Sequence, residues 1–293
     1  MVRTNVDHDT FSSDYEQGLN SGVQDAVSLV NAACMMQLTG VYQFNLGWKL
    51  ALVEKGLAEK SLLGTYNTER LPVISEMIEL TTSMLDNSVK TGSPKWNNSL
   101  FMLGIHCRFS NIVLDEFATS AEGAPINAYR ALDEGHLEAG DRAPDAPKLC
   151  PVHPGKSDET TLFSLYRPWY HTVLVFAPSP ADATPILAAL EQYDKSVVRS
   201  AVILPSSAPT TPFASTADFV LLDREGHAHS AYLLETTQTK VFVIRPDGVI
   251  GAIVRGAEGV KKYFSKILWG IDRGSCDNSK TGVRDGADVE VEE

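Results

Sequence analysis

A turn near the C-terminus constrains the fold most. Arg245-Pro246-Asp247-Gly248 separates two apolar, β-branched runs, Lys240 to Ile244 and Val249 to Val254. Proline presets φ for the second position of a type I turn, and glycine takes the left-handed position that follows. Two runs joined this tightly pair as antiparallel strands. Upstream, His171 to Phe176 holds Thr-Val-Leu-Val-Phe, which suits a buried strand. Ala181 to Tyr193 sets Ile186, Leu187 and Leu190 on one helical face. Ser200 to Leu204 is the next strand and Asp218 to Leu222 a short apolar segment. Ala257 to Leu268 closes with an amphipathic helix that turns Val260, Phe264 and Leu268 inward. Strand, helix and strand followed by a hairpin and a helix predict an α/β layer.

The first half reads as helical. Leu50 to Leu57 is apolar around Glu54 and Lys55, and Gly56 offers a stop. Ser61 to Arg70 carries Leu62, Leu63 and Tyr66 at helical spacing. After Pro72, Val73, Met77, Leu80 and Met84 fall on one face of a long helix. Gly92 to Asn98 is a loop with Pro94. A shift to Gly, Ala, Pro and acids between Leu114 and Asp145 places a domain boundary there. The expected organisation is a helical unit over 1–125, an α/β domain over 126–271 and a tail over 272–293. In that tail seven acids face three bases, which predicts a solvated, disordered segment.

A net charge of −12 argues against nucleic acid and anionic membranes as partners. The four cysteines, Cys34, Cys107, Cys150 and Cys276, form no C-x-x-C. A disulfide framework is not expected in a chain this long, so a reducing, cytoplasmic setting is. Met1 to Thr10 is polar, without the apolar core of a secretory signal. Ala26 to Trp48 holds no charge and is long enough to span a bilayer, but Asn31, Gln37, Thr39, Gln43 and Asn45 interrupt it. No membrane span is therefore expected.

Gln17-Gly18-Leu19-Asn20-Ser21-Gly22-Val23-Gln24-Asp25-Ala26 resembles the flavin-contacting segment of class A flavoprotein monooxygenases. There a glycine-rich turn opens a helix whose unsatisfied N–H groups and positive end suit the electron-rich flavin edge. Asn45 to Val53 and Leu62 to Val73 are similar to the family's next two blocks, in the same order. Ala139-Gly140-Asp141-Arg142-Ala143-Pro144-Asp145, Asp223 to His229 and Arg245 to Gly248 look like parts of the thioredoxin-like C-terminal domain of phenol hydroxylases. The matches span most of Gln17 to Leu268. They imply a helical remnant of an FAD domain followed by a thioredoxin-like α/β domain. They also imply FAD as cofactor, NADPH and O2 as co-substrates, and an aromatic small molecule as substrate; a homodimer is compatible. Gly18, Leu19 and Asn20 are the implied flavin contacts, mainly through backbone groups. No catalytic residue is assignable.

The chain departs from that pattern in four places. A G-x-G-x-x-G after a first strand is absent, and with it the usual substrate-binding sheet, so the expectation is a portion that is inactive alone. Asn5-Val6 stand where the family has a Gly-Asp pair, and Glu16 where it has glycine. Val27 to Gln43 interrupts a continuous helix by seventeen residues. Val27-Ser28, Leu38-Thr39 and Tyr42-Gln43 can be encoded as donor, branch-point and acceptor sequences, so a retained in-frame intron is expected. A genuine helical insertion is the alternative.

The remaining motifs read mainly as structure. His227 and His229 lack a third ligand at metal spacing, and a turn before a helix explains them. Cys150 and His153 read as loop residues, Trp48 and Tyr66 as core, and Asp25 as an acid favouring a helix start. The lack of C-x-x-C argues against thiol–disulfide catalysis. The competing class is a non-catalytic thioredoxin-like module for dimerisation or partner binding.

Overall fold

The computed structural model describes residues 45–91, 105–118, 128, 135–152, 159–208 and 216–269. Two helices open it: α1, Asn45–Glu54, and α2, Ser61–Thr91. Two short strands follow, β1 at Leu114–Asp115 and β2 at Leu149–Pro151. The main layer then runs β3 (His171–Phe176), α3 (Pro180–Leu190), β4 (Val198–Pro205), β5 (Phe219–Asp223) and the short α4 (His227–Ala231). It ends with β6 (Lys240–Ile244), β7 (Ile250–Val254) and α5 (Ala257–Ser265).

The seven strands form one sheet in the order β1-β7-β6-β3-β4-β5-β2. β3 pairs parallel with β4 and antiparallel with β6, and β6 pairs antiparallel with β7. This mixed four-strand centre, with α3 in the crossover and α5 after the hairpin, is the thioredoxin-like arrangement. The turn between β6 and β7 closes as its sequence predicts. Gly248 N–H donates to the Arg245 carbonyl at 3.0 Å, Arg245 N–H to the Val249 carbonyl at 2.8 Å, and Gly248 has φ +77°.

Every residue of β3 is buried, because the sheet is covered on both faces. Alternation sorts its side chains. Val173 and Val175 join Val202, Val241, Val243 and Val254 under α3, α5, α1 and the start of α2. Leu174 and Phe176 join Ile203, Phe242 and Ile253 on the opposite face, beneath Ala139–Leu149, Leu162–Tyr166 and Tyr232. A large apolar side chain so placed contributes about 1.5–3 kcal/mol. α1 and the start of α2 are thus joined to the layer: Trp48, Leu52, Ala58 and Leu62 belong to the same core as the central strands.

α1 stops where Gly56 predicts. Gly56 has φ +69°, its N–H donates to Val53 and that of Leu57 to Leu52, and Leu57 folds back on the core. α2 continues through Pro72, whose ring removes one N–H but does not end the helix. α5 is shorter than its apolar period suggests. Val260 and Phe264 are buried within it, whereas Leu268 lies in the turn beyond Ser265. Cys150, read from sequence as a loop residue, lies in β2, where it pairs with Leu222. His227 and His229 lie within α4 rather than before it.

Candidate functional site

Three blocks far apart in sequence meet in one buried cluster of charge. α1 contributes Asn45, Trp48 and Lys49, α2 contributes Glu69, and the β6–β7 turn contributes Arg245 and Asp247. Arg245 grips Glu69 with two bonds, Nη1 to Oε1 at 2.8 Å and Nη2 to Oε2 at 2.9 Å. Its Nε donates to Asp247 Oδ1 at 3.0 Å, and Nη2 also reaches Asp247 Oδ2. Lys49 Nζ donates to Glu69 Oε2 at 2.8 Å and to Asn45 Oδ1 at 2.9 Å. Asn45 Nδ2 in turn reaches Glu69 Oε2, and Asp247 Oδ2 at 3.3 Å. Trp48 Nε1 donates to Asp247 Oδ2 at 3.2 Å, and Ser110 Oγ to Glu69 Oε1 at 2.6 Å.

Two cations and two carboxylates balance, and nearly every lone pair is used. Such neutrality is what makes a buried ionic group tolerable. Burial alone would raise the Glu69 carboxyl. Arg245 and Lys49 overcome that through charge and hydrogen bonding and hold it well below the usual carboxylate range. Burial, helped by the Arg245 charge, lowers the Lys49 ammonium to about 8. Burial opposes the Arg245 charge too, but Asp247 and Glu69 push its pKa well above the ordinary arginine value. The Trp48 indole lies under this guanidinium, 5.2 Å from ring centroid to Cζ. None of the four charged side chains is open to solvent beyond 1%. The cluster therefore holds α1 and α2 to the sheet; it is closed to substrate.

His171 lies beneath it, edge-on to Trp48 at 5.2 Å and against Tyr263 and Phe264. Burial, then the Arg245 charge, lowers its imidazole to about 3, with the Val197 backbone opposing. It is neutral at physiological pH.

A second lacing joins the Ala139–Asp145 motif to the same hairpin. Gly140 N–H donates to Ile250 at 2.7 Å, Ile250 N–H to Asp141 at 2.8 Å and Ala143 N–H to Gly248 at 2.9 Å. Gly140 has φ +103°, and a Cβ there would fall 2.4 Å from the Arg108 nitrogen, so glycine is required. The Asp141 carboxylate accepts from Arg108 Nε at 2.7 Å and from Glu138 N–H at 2.8 Å.

Gly18, Leu19 and Asn20 lie outside the described residues, as do Glu16, Asp25 and Val27 to Gln43. Trp48 is core, as its spacing suggests, and also a hydrogen-bond donor in the cluster. Tyr66 is half-buried on α2. The two histidines of α4 do not converge: His229 Nδ1 pairs with Asp223 Oδ2 at 2.7 Å, and His227 Nε2 with Glu225 at 3.0 Å. Among the described residues no three His, Cys, Asp or Glu side chains are placed to hold a metal. Cys107 and Cys150 are free thiols, and burial, then the Glu69 charge, pushes Cys107 up to about 12. His153 lies outside the described residues. Among the described residues no helix is long and apolar enough to cross a membrane. Sequence reasoning missed the cluster itself. The available signal was charge inside apolar text: Lys49 between Trp48 and Leu50, and Arg245 directly after a buried strand.

Residues 15–81 match the family model described as FAD binding domain. A flavin-dependent monooxygenase of Mycobacteroides abscessus is 26% identical over 255 residues, 86% of this chain and 37% of the relative. The pentachlorophenol 4-monooxygenase of Sphingobium chlorophenolicum is 31% identical over 183 residues, 56% of this chain and 26% of the relative. Among solved structures, the flavin-dependent monooxygenase PieE in complex with FAD and substrate aligns at a TM-score of 0.49 and 17% identity. That alignment covers 76% of this chain and 42% of PieE. The chain thus spans between about a quarter and two-fifths of these proteins' lengths. The chain is thus similar to parts of flavin-dependent monooxygenases, and its residues 15–81 to an FAD binding domain.

Proposed function

We propose that the chain is part of an FAD-dependent monooxygenase of the phenol hydroxylase type, which hydroxylates an aromatic substrate with NADPH and O2. Bound FAD would supply the redox and oxygen chemistry. This chain's own task is to present an edge of the flavin site and to hold it still. Gly18, Leu19 and Asn20 would meet the flavin through backbone groups at a helix start, where N–H donors and positive potential favour an electron-rich edge. α1 and the 61–81 part of α2, in the same matched stretch, are fixed to the α/β layer by Glu69 on Arg245 and by Asn45 and Trp48 on Asp247. One observation carries the reading most: the FAD-domain match covers the proposed contact residues together with α1 and the part of α2 that the buried cluster anchors.

The organisation proposed is an FAD-domain remnant over 1–125, a thioredoxin-like domain over 126–271 and an acidic tail, with Val27 to Gln43 a retained intron. The visible absorbance of the purified chain tests the function. Stoichiometric bound flavin, lost on Gly18→Val with the fold retained, is the expected result. A folded but colourless protein that takes up no added FAD would overturn flavin binding by this chain and leave the non-catalytic module.

A further inference from the structure

Arg142 is a cation that the fold half-buries without giving it a counter-charge. Among the described residues its side chain has no ion-pair or hydrogen-bond partner, and its Nε is enclosed. Neither Nη is enclosed, so the outer edge of the guanidinium meets solvent. The other buried or half-buried arginines of the described residues differ. Arg108 pairs with Asp141, Arg199 with Asp218 and Arg245 with Glu69, and Arg70 has a partner too. Burial lowers the Arg142 pKa, and only the Cys107 thiol opposes this. That thiol, pushed up to about 12, is protonated at physiological pH and supplies no charge. Arginine itself stays charged. A cation so placed is costly unless an opposite charge reaches it. The chain holds 37 acids against 25 lysines and arginines, so a shortage of carboxylates does not explain their distance from Arg142.

The backbone beneath this side chain is held on both sides. Arg142 forms an antiparallel bridge with Val249. Ile250 N–H donates to the Asp141 carbonyl at 2.8 Å, and Ala143 N–H to the Gly248 carbonyl at 2.9 Å. Just upstream, the Gly140 carbonyl accepts from Cys107 N–H at 2.7 Å. A side chain carried on so fixed a backbone has less freedom to lose when it binds. The guanidinium is planar, and its outer edge offers parallel N–H donors that match two oxygens of a carboxylate or a phosphate. We propose that Arg142 anchors an oxyanion site, taking a carboxylate or phosphate group of a small molecule on the open edge of its guanidinium. The site lies beside the β6–β7 hairpin, outside the stretch matched to the FAD binding domain, and does not depend on flavin binding by this chain.

Thermal melting of the full chain at constant ionic strength tests the site, with chloride replaced by inorganic phosphate in one series and by benzoate in another. Arg142→Met, which keeps an apolar stem, is melted beside the unmodified chain. With an anion at about ten times its dissociation constant, the unmodified chain should melt about 3 °C higher than in chloride. Arg142→Met should show no such rise. A rise in phosphate alone supports a phosphate ligand, one in benzoate alone a carboxylate, and one in both the shared chemistry. In chloride Arg142→Met should melt no lower than the unmodified chain, because no partner is lost. The NMR signal of the Arg142 Nε–H gives a second reading on the unmodified chain, and it should shift and saturate as the anion is added. No rise over chloride with either anion, a rise that Arg142→Met retains, or an Nε–H signal unmoved by both anions would each overturn the proposal. So would an Arg142→Met chain that melts well below the unmodified one or fails to fold, since the guanidinium would then have a partner within the fold.

Discussion

Glu69 is the residue on which most depends, because it accepts from Arg245, Lys49, Asn45 and Ser110 at once. Glu69→Gln keeps the shape but leaves two buried cations facing one carboxylate. Breaking a buried pair in this way costs about 3–5 kcal/mol. Urea denaturation should show a loss of that order, while Glu225→Gln, which removes an exposed partner of Lys148, should leave the midpoint in place. A loss under about 1 kcal/mol for Glu69→Gln would mean the cluster is better solvated than its geometry implies. His171 gives the molecule an acid sensitivity. Its native pKa is lowered to about 3 against 6.5 in a free chain, so the unfolded state takes up a proton that the native state refuses. That contribution is complete above pH 6.5 and is lost progressively as pH falls towards 3. Between pH 6.5 and 5 it amounts to about 2 kcal/mol. His171→Phe should therefore melt with a flatter pH profile over this interval, and a profile parallel to that of the unmodified chain would refute the assignment.

Two glycines with positive φ separate backbone strain from packing. At Gly56 a Cβ meets nothing within 4 Å, so Gly56→Ala should cost only the left-handed penalty, about 1–2 kcal/mol. At Gly140 the same methyl would strike the backbone of Cys107 and Arg108, and Gly140→Ala should fail to fold or lose much more. Equal melting temperatures for the two variants would contradict this. The elements were legible in sequence where periodicity or turn chemistry was strong. β3, β4 and the β6–β7 hairpin follow from β-branched runs and the Arg-Pro-Asp-Gly turn, and α1 ends at its glycine. β1 and β2 hold two and three residues, too few to show a period, and they exist because neighbouring strands β7 and β5 offer free edges. α5 was overextended to Leu268 because apolar spacing continues through a turn that still packs on the core. The buried cluster was not legible, since a charged residue in isolation reads as surface. Only the fold brings Lys49, Glu69 and Arg245 together.

At the scale of the described residues, α1 and the start of α2 share a core and a charge cluster with the α/β layer. The composition shift between Leu114 and Asp145 does not mark a break in packing: β1 pairs with β7, and Glu69 meets Arg245 across it. The proposed flavin edge would inherit that rigidity if Asp25-Ala26 ran directly into Phe44-Asn45, because Asn45 and Trp48 are pinned to Asp247. The seventeen residues from Val27 to Gln43 stand between them in the sequence. The most direct measurement is a titration of FAD, followed by flavin fluorescence, into the full chain and into a chain lacking Val27 to Gln43. One flavin per chain, bound more tightly after the deletion, is the predicted result. Absence of binding in both folded proteins, or affinity unchanged by the deletion, would contradict a flavin edge held by the α1 anchor.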